Sequence, residues 1–508
     1  MFNKNIAMIF FLVIVASCTK DYKEINTNPN ASTALPVDYI LGEVQLQMAG
    51  ANSENKTWRG NFGYAACIVQ QMSSVDVGFY GGSFYTSPTN NFAAYFDDAY
   101  PNAVKNIVNL VELTKGVAQN VNVLSMARII KVMEFSRLTD LYGDVPYFDA
   151  GKGYSQVNFT PKYDIQKDIY LDMLKELEEA GAALSSGAYI PVKADFVYSG
   201  DMNKWKRAAN TLMLRLAMRM QKIDDAAAKS WAAKAINGGL INSSSENITI
   251  NFDGSGPEIS ANPNSWILGA SGRNQTNVSN GTLWAKTLID MMKARQDPRL
   301  PVIAVLKNGD NTVANQAGLP NGTNTNILAT LSPSSVDLYS RPAPNMYRNN
   351  NGWIYMTYAE AKLLQAEAIE RGYIAGNAAT AFIDGQAAAI NQVSVYGTTP
   401  SAGALATYAA ANVYPAAGTL DAKMNAIHTE LYLLNAVTLN HIEAWSDWKR
   451  SGYPVLVPIN PVGNETNGVI PRRLKYSPNE FGVNPNVNEA VTRQGADLYT
   501  TRVWWDKQ

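Results

Sequence analysis

Paired segments with helical apolar spacing constrain the fold of this chain more than any other feature. In NVLSMARIIKVMEFSRLTDLY (122–142), apolar residues recur every three or four positions from Leu124 to Leu141. This spacing places them on one face of an α-helix. DIQKDIYLDMLKELEEAGAAL (164–184) repeats the pattern, and its first turn is acidic, which favours a helix N-terminus. The sequence therefore predicts a mostly α-helical fold.

Further helical segments follow with short connections between them. Residues 203–222 and 224–239 form one such pair, and the second member ends at two glycines. Residues 358–372 and 423–452 each form a helical pattern that ends near a glycine, and small alanines in the first allow close packing. The pairs predict stacked helical hairpins of tetratricopeptide type, although no strict 34-residue consensus is visible.

Two long segments interrupt the helices. Residues 241–281 and 307–353 are rich in Asn, Gly and Pro. Loops of this length are uncommon in compact domains and are usually functional or disordered. A short strand is predicted at 247–252, so the expected fold is a set of helical hairpins with long loops and a few short strands.

The N-terminus has the pattern of a secretory signal peptide. Lys4 is followed by an uninterrupted apolar stretch at 6–16, and small residues directly precede Cys18. The apolar stretch is too short to span a bilayer as a helix. A Cys in this position resembles a bacterial lipobox, so residues 1–17 are predicted to be cleaved and Cys18 to be lipidated. A plain signal peptide that happens to contain a Cys is the alternative.

The rest of the chain is divided on the same grounds. Residues 18–36 are polar and turn-rich, and they are interpreted as a lipidated tether. Residues 37–508 are predicted to form a single domain, and no apolar run in them reaches transmembrane length. Lipidation of Cys18 leaves Cys67 as the only other cysteine. Cys67 lies in an apolar stretch, which predicts a buried and unreactive thiol.

The sequence carries little that indicates catalysis. The net charge is -1 and no run of Lys or Arg occurs, so nucleic acid is not an expected partner. His428 and His441 lie in helical patterns without a metal-ligand motif, and a helix-surface position is expected for them. No zinc-protease, hydrolase-elbow, Walker or dinucleotide motif is present. We therefore predict a protein that is not an enzyme, with no metal site and no cofactor; bound calcium is possible but not predicted.

Carboxylate pairs keep one alternative open. A glycosidase needs only two carboxylates brought together in space, and sequence alone does not exclude this. Asp97 and Asp98, and Asp140 with Asp144, are candidates, although structural roles are favoured for all four. A lipid-anchored hydrolase therefore remains a minor alternative.

Aromatic residues in the loops are the candidates for ligand binding. Tyr80 and Tyr85 lie in the glycine-containing segment DVGFYGGSFYTSPTN, where no helical period demands burial. Aromatic rings beside amide groups suit the recognition of sugars or peptides. Trp353 precedes a helix and is equally compatible with core packing. The remaining candidates come from the two long loops: Trp266, Arg273, Asn274, Tyr347, Arg348 and Asn350.

Several motifs occur in a recognisable order. They are NTNPN (26–30), RLTDLYGDVPY (137–147), PKYDIQKDIY (161–170), VYSGDMNKWKRAANTLMLRLAMR (197–219), DPRL (297–300), YMTYAEAKLLQAEA (355–368), WSDWKRSGYP (445–454) and PRRLKYSPNEFGVN (471–484). Each is weak alone, but their number and order resemble the SusD/RagB family of nutrient-binding outer-membrane lipoproteins, in particular the SusD-like type 2 branch of Bacteroidetes-type bacteria. Locally, Gly143 and Pro146 are expected to turn the chain out of a helix, and Arg472 and Arg473 to pin the C-terminal segment near Glu480.

The resemblance implies a fold, a location and a partner. Members have four tetratricopeptide-like hairpins and a loop-rich face that carries the ligand site. They cap a TonB-dependent, SusC-like transporter at the cell surface and trap glycan or peptide beneath them. The function expected here is capture of an oligosaccharide for uptake; capture of peptides or another nutrient by the same scaffold is the alternative.

Overall fold

The computed structural model describes residues 35–51, 53–255, 258–269 and 281–507. The predicted signal peptide, Cys18 and nearly all of the predicted tether lie outside these residues. Helices predominate, as the apolar spacing predicts. The α-helices are α1 (Val37–Ala49), α2 (Ala94–Ala99), α3 (Lys105–Thr114), α4 (Val121–Tyr142), α5 (Gly153–Gln156), α6 (Gln166–Ala183), α7 (Met202–Arg219), α8 (Asp225–Asn237), α9 (Pro263–Leu268), α10 (Lys286–Ala294), α11 (Leu300–Ile303), α12 (Thr325–Leu328), α13 (Tyr358–Glu370), α14 (Ala378–Asn391), α15 (Ala402–Ala411), α16 (Leu420–Val437), α17 (His441–Ser451), α18 (Glu480–Val483) and α19 (Val487–Gln494).

Other helical types occur at the connections. In the part of the chain that the structure describes, two segments are π-helical: Asn55–Ala66 and Tyr100–Val104. The 3₁₀ turns are Gly81–Ser83, Asn90–Ala93, Ala118–Asn120, Met220–Lys222, Ser244–Glu246, Glu258–Ser260, Val313–Asn315, Val336–Leu338, Pro344–Tyr347 and Gln392–Tyr396. π-helices are rare and occur mostly as single turns inside α-helices, so a π-helix of the length of Asn55–Ala66 is unusual.

The long helices pack as neighbouring pairs. α3 packs on α4, α6 on both α4 and α7, α7 on α8, α13 on α14, and α16 on α17. α13 also packs on α16, which joins the later hairpins to each other. Large side chains such as Trp205, Trp445 and Trp505 are fully buried between these helices. The predicted stacking of helical hairpins is confirmed, and Cys67 is buried as expected.

The segment 423–452 is not one helix. It divides into α16 and α17 at Thr438–Asn440, where Leu439 adopts a φ of 58°. The Asn61 side chain bonds both sides of this turn, because its amide group donates to the Leu439 carbonyl and its oxygen accepts from the Ile442 backbone NH. Such tertiary contacts are not visible in the local sequence, which contains no Gly or Pro at the break.

A network of buried charges connects the hairpins. Arg219 of α7 bonds Asp140 of α4 at 3.3 Å and Glu443 of α17 at 2.6 Å. Arg450 of α17 bonds Glu367 of α13 at 2.8 Å. All of these side chains are buried, and buried charges are tolerated only when they are paired and hydrogen-bonded. Asp140 therefore has the structural role that the sequence favoured.

The two histidines belong to the interior. The helix-surface position expected for His428 and His441 is wrong, since both side chains are fully buried. His428 Nδ1 lies 2.9 Å from Asp447, and His441 Nδ1 lies 2.5 Å from Gln71. The helical pattern around each residue was correct, but these helices are buried on nearly all sides.

The strands are short, and within the described ranges they form three antiparallel pairs. β1 (Met72–Ser73) pairs with β3 (Leu283–Trp284), β2 (Ile248–Ile250) with β6 (Trp353–Met356), and β4 (Ala304–Val305) with β5 (Arg341–Pro342). The strand predicted at 247–252 is therefore present as β2. Each pair joins segments far apart in sequence, so the strands hold the long loops on the helical scaffold.

Ion pairs hold the C-terminal segment in place, but the partners of Arg472 and Arg473 differ from the expected one. Arg472 bonds Asp506, and Arg473 bonds Asp497 at 2.6 Å. Glu480, the expected neighbour, instead accepts a hydrogen bond from the Tyr163 hydroxyl at 2.6 Å. Gly143 ends α4 with a φ of 86°, as the predicted turn requires.

Candidate functional site

One surface, which we call the loop face, collects the predicted ligand-binding loops. It comprises the π-helix Asn55–Ala66 and residues 74–90, 253–255, 258–269 and 341–353. α9, in the third of these segments, packs against both the π-helix and the turn Pro344–Tyr347. The aromatic candidates of different loops are thereby brought to one side of the molecule.

Hydrogen bonds join the two mid-chain loops. The backbone NH of Asn262 donates to the Asn349 carbonyl at 2.8 Å, and its side-chain amide donates to the Asn351 carbonyl at 2.9 Å. Gly269 lies so close to the Tyr347 ring that an added Cβ would approach it to 2.8 Å. The loop conformation is therefore fixed by asparagine contacts and by one position that only glycine can occupy.

The early loop displays a phenylalanine. The Asp76 carboxylate accepts from the backbone NH groups of Gly78 and Phe79 at 2.9 and 3.2 Å, which fixes the turn. Phe79 is 42% exposed and stacks on Trp58 of the π-helix, with centroids 5.0 Å apart and planes 21° apart. The Arg59 guanidinium lies 6.0 Å from the Trp58 ring. These residues form an aromatic platform beside a cation.

The two tyrosines of the early loop point inward. Tyr80 and Tyr85 were expected to be displayed, and this expectation of exposure is wrong because both are almost fully buried. The Tyr80 hydroxyl is 2.7 Å from Thr282 Oγ1, so this ring anchors the loop to the segment before β3. Burial raises the pKa of Tyr85 to about 12. Both rings support the loop from beneath.

The mid-chain candidates differ in accessibility. Trp266 and Tyr347 are half-buried, whereas Arg348 and Asn350 are exposed. Trp266 lines a cavity of about 10 Å³, between α9 and the segment after α1, that has room for about one water molecule. Burial raises the pKa of Tyr347. Arg273 and Asn274 lie outside the described residues.

Trp353 has the environment of a core residue. It is 7% exposed and lies in β6. The Arg137 guanidinium lies 4.9 Å from the centroid of the Trp353 ring and 4.7 Å from that of the Tyr355 ring. Little of the Trp353 ring is left for a ligand, so the core interpretation of this residue fits the geometry better.

Two residues of the platform were not among the sequence candidates. Trp58 lies in a polar stretch, NSENKTWRGN, where a lone tryptophan is a weak signal of display. Phe79 directly precedes Tyr80, and in a loop no periodicity decides which of two neighbouring rings points outward. The choice depends on the Asp76 turn and on the Thr282 contact.

The chemistry available on the loop face is that of binding. Aromatic rings, amides and guanidinium groups surround it, and these offer apolar stacking and hydrogen bonds. Across the described ranges, no group of three His, Cys, Asp or Glu side chains is arranged to hold a metal ion. Among the same residues, no helix combines the length and apolar character needed to cross a membrane.

Residues 29–477 match the model of the SusD-like family of type 2, described as starch-binding and associating with the outer membrane. A search of the curated proteins finds no match. A solved structure named a chitin-binding protein is 32% identical, covers 93% of this chain and all of its own, and has a TM-score of 0.80.

Two further solved structures are similar in fold. A SusD homologue from Bacteroides uniformis is 25% identical, covers 92% of this chain and all of its own, and has a TM-score of 0.76. A chitin-binding SusD homologue from Flavobacterium johnsoniae is 24% identical, covers 93% of this chain and 99% of its own, and has a TM-score of 0.78.

Proposed function

The chain belongs to the SusD-like family, and from that premise we propose that it is a cell-surface lipoprotein that captures an oligosaccharide and delivers it to a TonB-dependent, SusC-like transporter. The observation that carries the ligand class is the platform on the loop face. Phe79 and Trp58 stack there with Phe79 partly open to solvent. A sugar ring offers an apolar C–H face to such rings, while nearby amide and guanidinium groups serve its hydroxyls.

We further propose an N-acetylated glycan as the first ligand to try. The solved structure that is 32% identical to this chain is named a chitin-binding protein. The proposed contacts are Trp58, Phe79, Trp266, Tyr347, Arg348 and Asn350, with Arg273 and Asn274 as further candidates from the sequence. Tyr80, Tyr85 and Trp353 are proposed to support the site, not to contact the ligand.

The test is a binding measurement on the full chain with chitin oligosaccharides, starch fragments and a peptide panel. In Phe79→Ala, the loss of one stacking anchor is expected to weaken glycan binding by about 2 kcal/mol, which is roughly thirtyfold. Trp266→Ala is expected to have an effect of similar size. Phe196→Ala is the matched control, because Phe196 is 37% exposed and lies outside the loop face.

The outcomes separate the candidate functions. Binding of peptides but not glycans, reduced by Phe79→Ala, would replace the oligosaccharide with a peptide ligand on the same site. Unchanged glycan binding in both Phe79→Ala and Trp266→Ala would contradict the proposed location of the site. Release of reducing sugar during the assay would favour a hydrolase instead.

The membrane anchor is proposed to be Cys18. Acylation requires its thiol, so Cys18→Ala is expected to abolish incorporation of radiolabelled fatty acid, whereas Cys67→Ala is expected to leave it unchanged. Labelling that persists in Cys18→Ala would refute the anchor. Protease treatment of intact cells tests the surface location, which requires that the protein be degraded while the cells remain whole.

The transporter is proposed as a stable partner. Extraction in mild detergent followed by affinity purification of the full chain is expected to recover a large outer-membrane protein of the TonB-dependent class. Consistent recovery of the chain alone would contradict this proposal without affecting the proposal of glycan binding.

A further inference from the structure

A large cavity lies outside the loop face. Its volume is about 460 Å³, within the roughly 300–1,000 Å³ of small-molecule sites. Its walls come from α2, the π-helix Tyr100–Val104, the segment 146–161 and α18. None of its lining residues belongs to the loop face. We call it the α2–α18 cleft.

One wall of the α2–α18 cleft is aromatic. Phe96 and Tyr100 contact each other with ring centroids 4.6 Å apart, and the Tyr100 hydroxyl donates to the Pro146 carbonyl at 2.8 Å. Phe159 also lines the cleft but is 67% exposed, and its ring lies over Gly153, where an added Cβ would be 3.2 Å away. An apolar ring left this open gains from contact with a ligand.

The second wall carries two carboxylates. Asp97 and Glu480 line the cleft, and within the described part of the chain neither forms an ion pair with a Lys, Arg or His side chain. Reduced solvation raises the pKa of Asp97. Burial raises the pKa of Glu480 too, and the negative charge of Asp97 raises it further. The two carboxylates therefore repel each other, and Lys105, which also lines the cleft, forms no ion pair with either of them among the described residues.

The cleft is held open by its surroundings. The side-chain amide of Asn484 donates to the Pro161 carbonyl at 2.9 Å, and that of Asn486 donates to the Thr160 carbonyl at 2.9 Å. The Tyr163 hydroxyl donates to Glu480 and fixes that carboxylate in the wall. These contacts join the segment 146–161 to the C-terminal helices, so binding does not require the walls to be assembled.

We propose that the α2–α18 cleft is a second binding site, for a ligand that carries a primary ammonium group on an apolar framework. The ammonium lies between Asp97 and Glu480, and the C–H surface of the ligand packs on Phe159, Phe96 and Tyr100. Aromatic faces attract such cations, and they also pack against apolar surface. A de-acetylated amino sugar and a lysine side chain both supply this chemistry. The inference does not rest on the function proposed for the loop face.

The test uses the full chain carrying Phe79→Ala, so that the loop face contributes little. Isothermal titration calorimetry compares two pairs of probes. One pair is a glucosamine trisaccharide and its N-acetylated form. The other is Nα-acetyl-lysine amide, whose side-chain amine is free, and its Nε-acetylated form. Acetylation removes the charge and keeps the framework. At least one amine probe is expected to bind tenfold or more tightly than its acetylated partner. If only the glucosamine trisaccharide binds in this way, the natural ligand is an amino sugar. If only the lysine amide does, the natural ligand is a peptide.

Variants then locate the binding. Asp97→Asn and Phe159→Ala both change exposed residues. Each is expected to weaken binding of the amine probe at least fivefold. Asp290→Asn is the matched control, since it also removes one exposed carboxylate, in a surface pair with Lys286 far along the chain. Equal affinity for charged and acetylated probes would overturn the proposal, as would unchanged amine binding in Asp97→Asn. Equal weakening by Asp290→Asn would show a general charge effect and also overturn it.

Discussion

The helical interior and the loop face use the same kinds of side chain in opposite ways. In the interior, arginines are buried and paired, as Arg219 is with Asp140 and Glu443. On the loop face, Arg348 is exposed and forms no ion pair within the described residues. Aromatic rings follow the same division, because Trp205 is completely buried whereas Phe79 is left partly open.

The difference indicates which region carries the stability and which region carries the proposed binding site. A buried ion pair contributes little net stability, but loss of one partner leaves a charge without compensation. An exposed aromatic or cationic group contributes little to folding and is free to contact a ligand. Substitutions in the two regions are therefore expected to separate, with stability affected in the interior and binding affected on the loop face.

The largest expected effect is that of Arg219→Met. The substitution keeps much of the side-chain volume but leaves Asp140 and Glu443 buried without their shared cation. The free energy of unfolding is expected to fall by about 3–5 kcal/mol. Urea denaturation followed by circular dichroism measures it. A loss below about 1 kcal/mol would mean that the buried network does not hold the hairpins together.

Tyr80→Ala has the next largest expected effect and tests the boundary between the regions. Tyr80 belongs to a loop-face segment, but its side chain is buried in the interior. Its removal therefore leaves a cavity and removes the hydrogen bond to the Thr282 hydroxyl. A loss of about 3 kcal/mol of stability is expected, as for other buried aromatics. Phe79→Ala, the neighbouring control, is expected to cost under about 1 kcal/mol. Equal losses in the two variants would contradict the division.

His441, in the helical interior, is expected to make the folded protein less stable in acid. Burial lowers the pKa of His441 to about 3, against about 6.5 in the unfolded chain. Between these values only the unfolded chain takes up the proton, so stability falls as the pH falls below 6.5. The loss from this group is expected to reach about 2 kcal/mol at pH 5. Urea denaturation of the wild type and of His441→Gln at pH 7.5 and pH 5 measures this loss. The difference in unfolding free energy between the two pH values is expected to be smaller in His441→Gln.

His428 provides a contrast of opposite sign. Burial disfavours its protonation, but Asp447 and Glu367 outweigh burial, so the pKa of His428 is raised. The folded chain then holds the proton more tightly than the unfolded chain does. The stabilisation is complete below about pH 6.5 and is lost as the pH rises through the raised pKa. An acid sensitivity that increases in His441→Gln would contradict the assignment to His441.

The sequence predicted the interior better than the loop face. Apolar spacing located α4, α6, α7, α8 and α13 because a buried helix stripe repeats every three or four residues. It did not predict the break at Leu439, which depends on Asn61 from a distant segment. For the same reason it misplaced the two histidines, since their helices are enclosed by neighbours that the local pattern does not identify.

The site was predicted only in outline. Length and composition indicated the two long mid-chain loops as candidates, and in the structure α9, which contains Trp266, packs against the turn that contains Tyr347. Which rings are displayed depends on single hydrogen bonds, such as those of Asp76 to the backbone of Gly78 and Phe79. A loop has no period from which such contacts can be predicted, and therefore the sequence indicates Tyr80 where the structure displays Phe79.

The smallest expected change in stability is that of Arg348→Ala. Arg348 is exposed, and its guanidinium lies 3.8 Å from the position of a Cβ built on Gly397, with no carboxylate partner among the described residues. The free energy of unfolding is expected to change by less than about 0.5 kcal/mol. Binding of a chitin oligosaccharide is expected to weaken roughly fivefold, because about 1 kcal/mol is typical of one hydrogen bond. Arg348→Lys keeps the charge but not the planar fork of donors, so it is expected to recover only part of that affinity. If Arg348→Ala lowered stability by more than about 1.5 kcal/mol, the arginine would belong with the interior, and the contrast between the two regions would not hold at this position.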